Sequence, residues 1–330
     1  MTERYSLKNK VILVTGGTGS FGNAFVTYAL EHLSPKKIIV YSRDEFKQYE
    51  MAKRFPEKSL RFFIGNVRDQ DRLYRALTGV DVVVHAAALK QVPAAEYNPF
   101  EAVQTNIMGA QNVVNAAIDA GVKRVVALST DKACNPVNLY GATKLCSDKL
   151  FIAGNAYAGG KDTSFSVVRY GNVLGSRGSV IPFFKECAKT GEIPITDERM
   201  TRFWITLPQA VQLVVTALHE MQGGELFIPK IPSMKIVDLA EAIAPGCRHR
   251  VIGIRPGEKL HEMMISRDDS RHLFASDEFY IKLPDFPFWK MTTPKGSKPV
   301  SEGFEYASDT NDRWLGVAEM RRVLKNEGMI

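Results

Sequence analysis

Cysteine is scarce in this chain of 330 residues: Cys134, Cys146, Cys187 and Cys247 lie scattered, with no CxxC pair among them. That spacing excludes a disulfide framework and a cysteine zinc site, and it fits a reducing compartment. The six histidines form no spaced pair either, so no metal is expected. No apolar run is long enough to cross a bilayer. Met1 to Lys10 is polar and leads directly into Val11-Ile12-Leu13-Val14, too short for the core of a secretory signal. The expectation from these absences is a cytoplasmic protein without a membrane partner. Runs of like charge are missing too. The chain carries 43 basic and 36 acidic residues, net +7, but nowhere five cations in a row. Nucleic acid is therefore not the expected partner, and dispersed cations suit nucleotide phosphates better.

What is present is an ordinary globular composition, 45% hydrophobic and 24% charged, long enough for roughly two structural units. Val11–Thr15, Lys37–Tyr41, Leu60–Val67, Asp81–Ala87 and Arg124–Thr130 read as strands rich in Val and Ile, apolar on both faces. Helical periodicity separates them, as from Phe100 to Ala120. This alternation predicts an α/β fold, a Rossmann-type doubly wound parallel sheet. Phe165–Val173 reads as one more strand of it. Beyond that, Gly and Pro become frequent and the elements shorten. The expected division is a dinucleotide-binding unit over 1–173 that carries the catalytic residues, and a smaller, loop-rich, substrate-binding unit over 174–330. The boundary is soft, and some later segments are expected to return to the first unit.

Thr15-Gly16-Gly17-Thr18-Gly19-Ser20-Phe21-Gly22 follows the first strand and opens a helix. Gly16 permits the tight turn, Gly19 the approach of a pyrophosphate, and Gly22 close packing of helix on strand. The helix N-terminus adds free N–H groups and a positive dipole end. At the end of the second strand, where NAD-binding sheets usually place an acid, stands Arg43, with Lys47 four residues on. A 2′-phosphate would be welcome there, so the expected cofactor is NADP. Asp44 leaves NAD open, since it could serve the ribose hydroxyl.

Tyr140 and Lys144 stand four apart, on one face of a helix just after the fifth strand, at the sheet's carboxyl edge. A phenol with an ordinary pKa of about 10 needs a shift of about three units, or about 4 kcal/mol, to act as a base near neutrality. A nearby ammonium in a partly desolvated cleft can supply much of that.

Taken with Asn106-Ile107-Met108-Gly109 and Ser129-Thr130, these motifs resemble the extended short-chain dehydrogenase/reductase superfamily. His85-Ala86-Ala87-Ala88-Leu89-Lys90-Gln91-Val92-Pro93, Ser129-Thr130-Asp131-Lys132-Ala133, Met200-Thr201-Arg202-Phe203-Trp204 and Arg255-Pro256-Gly257-Glu258-Lys259 sharpen the likeness. Within the superfamily they resemble the inverting UDP-N-acetylglucosamine 4,6-dehydratases of pseudaminic acid biosynthesis, over nearly the whole chain. Lys132 is the most telling residue, because retaining dehydratases carry Asp-Glu where this chain has Asp131-Lys132, and simple 4-epimerases have no such pair. One departure is Asn66, where the family usually shows aspartate in Gly-Asp-Val-Arg-Asp.

The resemblance implies a carbon–oxygen lyase acting on UDP-N-acetylglucosamine with NADP, on the path to flagellin glycosylation, and a homo-oligomer (dimer or hexamer). It implies that Tyr140, with Thr130 and Lys144, takes the C4 hydroxyl proton, that Lys132 removes the C5 hydrogen, and that Asp131 protonates the departing C6 hydroxyl. The product implied is UDP-2-acetamido-2,6-dideoxy-β-L-arabino-hexos-4-ulose. The cofactor surface comprises the glycine loop, Arg43, Asp44, Lys47, Asn66, Val67, Ala86, Ala87, Lys90, Asn106, Ser129, Tyr140 and Lys144. Lys90, Asn172, Val173, Arg177, Val180, Ile195, Arg202, Arg255 and Glu258 are the substrate positions, with arginines for the diphosphate and Glu258 for the ribose. His85 and Cys134 read as packing residues. The rival readings are a retaining or 5-epimerising dehydratase, an NADP-linked sugar reductase, and a non-catalytic NADP-sensing regulator.

Overall fold

A computed structural model describes residues 5–176, 178–286, 288–289 and 291–330. Six parallel strands form the heart of its main sheet: β1 (Val11–Thr15), β2 (Lys37–Ser42), β3 (Leu60–Ile64), β4 (Val82–His85), β5 (Arg124–Leu128) and β6 (Ser164–Val168). Their spatial order is β3-β2-β1-β4-β5-β6. The order reverses between β1 and β4, and such a switch opens a crevice at the carboxyl ends of the strands. Ile12, Leu13, Val14, Val82, Val83 and Val84 are completely buried because helices cover both faces. On one side Ser20–His32 packs against Leu207–Glu220, while Gln70–Leu77, Gly109–Ala120 and Leu139–Tyr157 pack together. Burying each such Val or Ile contributes about 1.5–3 kcal/mol, which fixes the strand ends that carry the site.

The sheet then continues into the second half of the chain. Leu226–Pro229 lies parallel to β6, followed by antiparallel Phe279–Lys282, Leu273–Ala275 and Lys298–Pro299. A second core gathers Leu174, Ile181, Phe184, Ile195, Trp204, Met234, Leu239, Met320 and Leu324. Thr201–Ile205 joins the two cores by simple alternation: Phe203 and Ile205 face the first, Trp204 the second.

Strand ends differ from expectation in a consistent way. The third strand stops at Ile64, not Val67, because Asn66 Oδ1 turns back to accept from the Arg68 amide at 3.1 Å. The fourth and fifth stop at His85 and Leu128, freeing Ala86, Ala87, Ser129 and Thr130 for the crevice. Phe165–Val173 is not one strand. It divides at Arg169-Tyr170-Gly171, where the Tyr170 carbonyl accepts from Asp131 N, and Asn172–Val173 pairs instead with Trp204–Ile205. The expected helix over 100–120 contains a π-helical stretch, Val103–Met108, that turns Asn106 inward.

Candidate active site

The crevice is a cleft of roughly 1120 Å³. That exceeds the roughly 300–1,000 Å³ of an ordinary single-ligand pocket, so there is room for two ligands. Gly16, Thr18, Gly19, Ser20, Phe21 and Gly22 line one end. A side chain at Gly16, whose φ is +64°, would come within 2.9 Å of the Ala87 backbone, and one at Gly22 within 2.3 Å of the Gly17 carbonyl. The helix Ser20–His32 starts at Gly19 with no side-chain cap and no acid in its first turn. Its amides and dipole are therefore available to an anion, and the residues present fit a dinucleotide pyrophosphate.

Beside the loop, Thr18 and Ser42 share a hydrogen bond of 2.8 Å. Asp44 caps the helix Glu45–Arg54, accepting from the Lys47 amide at 3.0 Å and pairing with its ammonium. Lys47 holds that carboxyl below its ordinary range. Asp44 and Lys47 thus largely satisfy each other. Arg43 is exposed on the cleft wall and makes no ion pair among the described residues. Asn66 and Val67 line the adjoining wall. The Asn66 amide oxygen already serves the Arg68 turn, leaving its NH2 group for a ligand.

At the other end, Thr130 caps the short turn Asp131–Ala133, and Asn138 caps Leu139–Tyr157 by accepting from Gly141 N at 2.8 Å. Tyr140, Lys144 and Asp148 follow at i, i+4 and i+8 on that helix, hence on one face. Tyr140 is pushed up to about 12 by burial, with the Lys132 ammonium and the Thr130 hydroxyl pulling the other way. Lys144 is 3% exposed, and burial lowers its pKa while Asp148 opposes the fall. Asp148 in turn accepts from the Ser129 hydroxyl at 2.6 Å and lies 3.5 Å from Arg169. Lys132 thus bears on Tyr140 from the neighbouring turn, while Lys144 stands between Tyr140 and Asp148 along the helix face.

Asp131 is fully buried. Its Oδ1 accepts from Thr130 Oγ1 at 2.8 Å and from Lys132 Nζ at 3.0 Å, and its Oδ2 has no partner. Burial works to lower Lys132, but Asp131 and Glu262 outweigh it and hold the ammonium above the usual lysine range. Lys90 is shifted down, first by desolvation and then by Lys132.

Of the positions named for substrate, Asn172, Val173, Val180, Arg202, Arg255 and Glu258 line the cleft. Three expectations change. Ile195 lies in the second core at 0% exposure, because strand alternation presents Pro194 and Thr196 to the cleft instead. Asn106 sits behind the wall rather than in it. Its side chain clips the Leu89 amide and carbonyl and the Thr143 hydroxyl, shaping the loop that carries Lys90. Arg202 is buried, with its donors on the carbonyls of Thr201, Lys259 and Leu260, so it pins the 259–262 segment more than it reaches out. Arg177 lies outside the described residues. Arg255 is exposed and paired with Glu258, whose Oε2 is buried and has no partner among the described residues.

Glu262 and Asp148 were not anticipated. Helical spacing from Tyr140 and Lys144 could have pointed to Asp148, while nothing local marks Glu262. His85 and Cys134 are packed as expected. Thr15 Oγ1 accepts from the Ala86 and Ala87 amides and so donates to His85 Nδ1 at 2.8 Å, leaving a neutral ring whose pKa burial lowers to about 3. Burial pushes the Cys134 thiol up to about 11. Among the described residues no helix is long and apolar enough to cross a membrane.

Residues 12–284 match the polysaccharide biosynthesis protein family. Over 327 residues the chain is 55% identical to the inverting UDP-N-acetylglucosamine 4,6-dehydratase of Campylobacter jejuni, covering 96% of this chain and 98% of that one. It is 40% identical to the UDP-glucose 4-epimerase of Rickettsia canadensis, over 96% and 95% of the two chains. Among solved structures, Pen from Bacillus thuringiensis superposes with a TM-score of 0.91 at 38% identity, over 98% and 99%. A dTDP-glucose 4,6-dehydratase of Streptomyces venezuelae, solved with NAD, gives 0.69 at 26% identity, over 76% and 86%. The chain belongs to the polysaccharide biosynthesis protein family and, within it, groups with the inverting UDP-N-acetylglucosamine 4,6-dehydratases of the extended short-chain dehydrogenase/reductase superfamily.

Proposed function

We propose that the chain removes water from UDP-N-acetylglucosamine after transient oxidation at C4, with inversion at C5. The product is UDP-2-acetamido-2,6-dideoxy-β-L-arabino-hexos-4-ulose, the first intermediate towards pseudaminic acid, made by a cytoplasmic homo-oligomer. The observation that carries this reading is the Lys132–Asp131 pair, 3.0 Å apart in the turn that leads to Tyr140. Elimination needs a base and an acid side by side, and a plain epimerase needs neither.

NADP is the proposed cofactor. Gly16 to Gly22 would hold its pyrophosphate, and Arg43, without an ion pair among the described residues and beside a self-satisfied Asp44, its 2′-phosphate. When bound, the oxidised dinucleotide would supply a hydride acceptor for C4, a hydride donor for C6 in its reduced form, and positive charge near Tyr140. Tyr140 takes the C4 hydroxyl proton, a task that requires its pKa to fall from about 12. Lys132 passes its proton to Asp131, and the pair becomes a neutral amine and a neutral acid together. The amine removes the C5 hydrogen, acidified by the new ketone, Asp131 protonates the C6 hydroxyl as it leaves as water, and a proton is added at C5 from the opposite face once hydride is at C6. Arg255 serves the diphosphate and Glu258 the ribose.

Incubation with UDP-N-acetylglucosamine and NADP+, read by NMR, is expected to show a 4-keto-6-deoxy sugar without net cofactor reduction. A 4-epimerase is the second reading, favoured by the 40% identity to the Rickettsia enzyme. It would return a sugar that keeps its C6 hydroxyl.

A further inference from the structure

An ammonium has three N–H donors, and three acceptors surround Lys132 Nζ: Asp131 Oδ1 at 3.0 Å, Glu262 Oε1 at 3.3 Å and Asn172 Oδ1 at 3.4 Å. The elimination outlined above employs Asp131, and Asn172 is neutral. Glu262 is the charged member with no assigned task. It lines the cleft yet is only 2% exposed, and its Oε2 has no hydrogen-bond partner. Backbone bonds fix its place, since Glu262 N donates to Ser308 Oγ at 2.9 Å and Ser308 N to the Glu262 carbonyl at 2.8 Å. A carboxylate this deep is costly unless cations compensate it. Three do: Lys132, Arg202 Nε at 3.8 Å from Oε1, and Lys259 Nζ at 3.8 Å from Oε2.

We propose that Glu262 is a positioning residue for Lys132, holding it as an ammonium between Asp131 and Asn172 until a nucleotide sugar enters and loosens that contact. The inference rests on the proposed elimination for its purpose, but not for its geometry. An amine kept charged cannot take a proton from carbon, so the base stays off in the substrate-free cleft. Every charged or titratable neighbour counts here. Asp131 comes from the same turn, Tyr140 from Leu139–Tyr157, Lys90 from the loop after β4, and Arg202 from Thr201–Ile205. Lys259 and Glu262 come from the segment that Arg202 pins. Asp131 and Glu262 are the two anions set against the rest, so removing either lets Lys132 lose its proton at lower pH.

The test is amine labelling of the full chain without substrate. Acetic anhydride is applied across a pH series, Lys132 acetylation is read by mass spectrometry, and exposed Lys149 is the reference. Glu262→Gln keeps shape and removes charge, so half-maximal labelling of Lys132 is expected at least about one pH unit lower than in the wild type. Glu262→Asp retains the charge on a shorter stem and is expected to shift less. It carries the test if Glu262→Gln does not fold. Thermal melting checks that each variant is native. A Lys132 labelling profile unchanged in native Glu262→Gln, or in Glu262→Asp where only that variant folds, overturns the proposal. With UDP-N-acetylglucosamine in heavy water, the pH at which C5 exchange rises is expected to fall likewise in Glu262→Gln, with the C4 oxidation profile unmoved. A wild type that exchanges nothing at C5 overturns the dehydratase reading alone, and labelling still decides the role of Glu262.

Discussion

The two ends of the cleft are built on opposite principles. The phosphate end is local: Gly16 to Gly22 form one turn between β1 and its helix, and backbone geometry does the work. The acid–base end is assembled from far-apart pieces. Asp131 and Lys132, Tyr140 and Lys144, Asn172, Arg202 and Glu262 meet only because β5, β6 and the Thr201–Ile205 strand converge there. A backbone cradle tolerates little change in shape but carries no net charge of its own. A side-chain cluster tolerates shape changes better, and depends on how its charges balance.

Four substitutions or conditions probe that contrast, in falling order of effect. Lys132→Ala is expected to lower formation of the 6-deoxy product by at least about a thousandfold, within the range of general acid–base contributions. C4 oxidation should survive, visible as reduced nicotinamide absorbance that accumulates on the enzyme. Normal dehydration by this variant would move the C5 base elsewhere. Tyr140→Phe keeps the ring but cannot accept a proton, so single-turnover oxidation should slow at least about a hundredfold. Wild-type rates there would leave Lys132 as the first base.

At the phosphate end, Arg43→Ala should weaken NADP+ about ten- to a hundredfold, the worth of a charge-assisted contact of about 1.5–3 kcal/mol. NAD+ affinity, measured by the same calorimetric titration, should hardly change. Equal losses for both would remove Arg43 from 2′-phosphate recognition. The fourth probe lies between the two ends, at His85, and its effect on function at neutral pH is the smallest. Its folded pKa of about 3 is below the unfolded value of about 6.5, so the unfolded chain binds the extra proton between them. Stability from this group is complete above about pH 6.5 and lost as pH falls towards 3, at up to about 1.4 kcal/mol per pH unit. His85→Gln should show a shallower fall of melting temperature with acid, and an equal slope would mean the ring is not buried neutral.

The same contrast explains what was legible beforehand. The parallel sheet and the glycine loop could be read because both depend on residues adjacent in sequence. Tyr140 and Lys144 share one helix, and Asp131-Lys132 one turn. Ile195 was misplaced by one position because a resemblance gives a neighbourhood and strand alternation decides the face. The break between Val168 and Asn172 was hidden, since the apolar pattern runs on while the chain changes sheets. Glu262 was invisible for a different reason. Its neighbours Lys132 and Arg202 lie 130 and 60 residues away, and only the folded cleft shows that they meet.

The central claim is that Lys132 and Asp131 make this an eliminating, C5-inverting enzyme rather than an epimerase. The most direct measurement is NMR of the product formed from UDP-N-acetylglucosamine by the wild type in heavy water. The account predicts a 4-keto-6-deoxy sugar with one deuterium at C5 in inverted configuration. A product with retained C5 configuration, or one that keeps its C6 hydroxyl and carries no deuterium at C5, would contradict it.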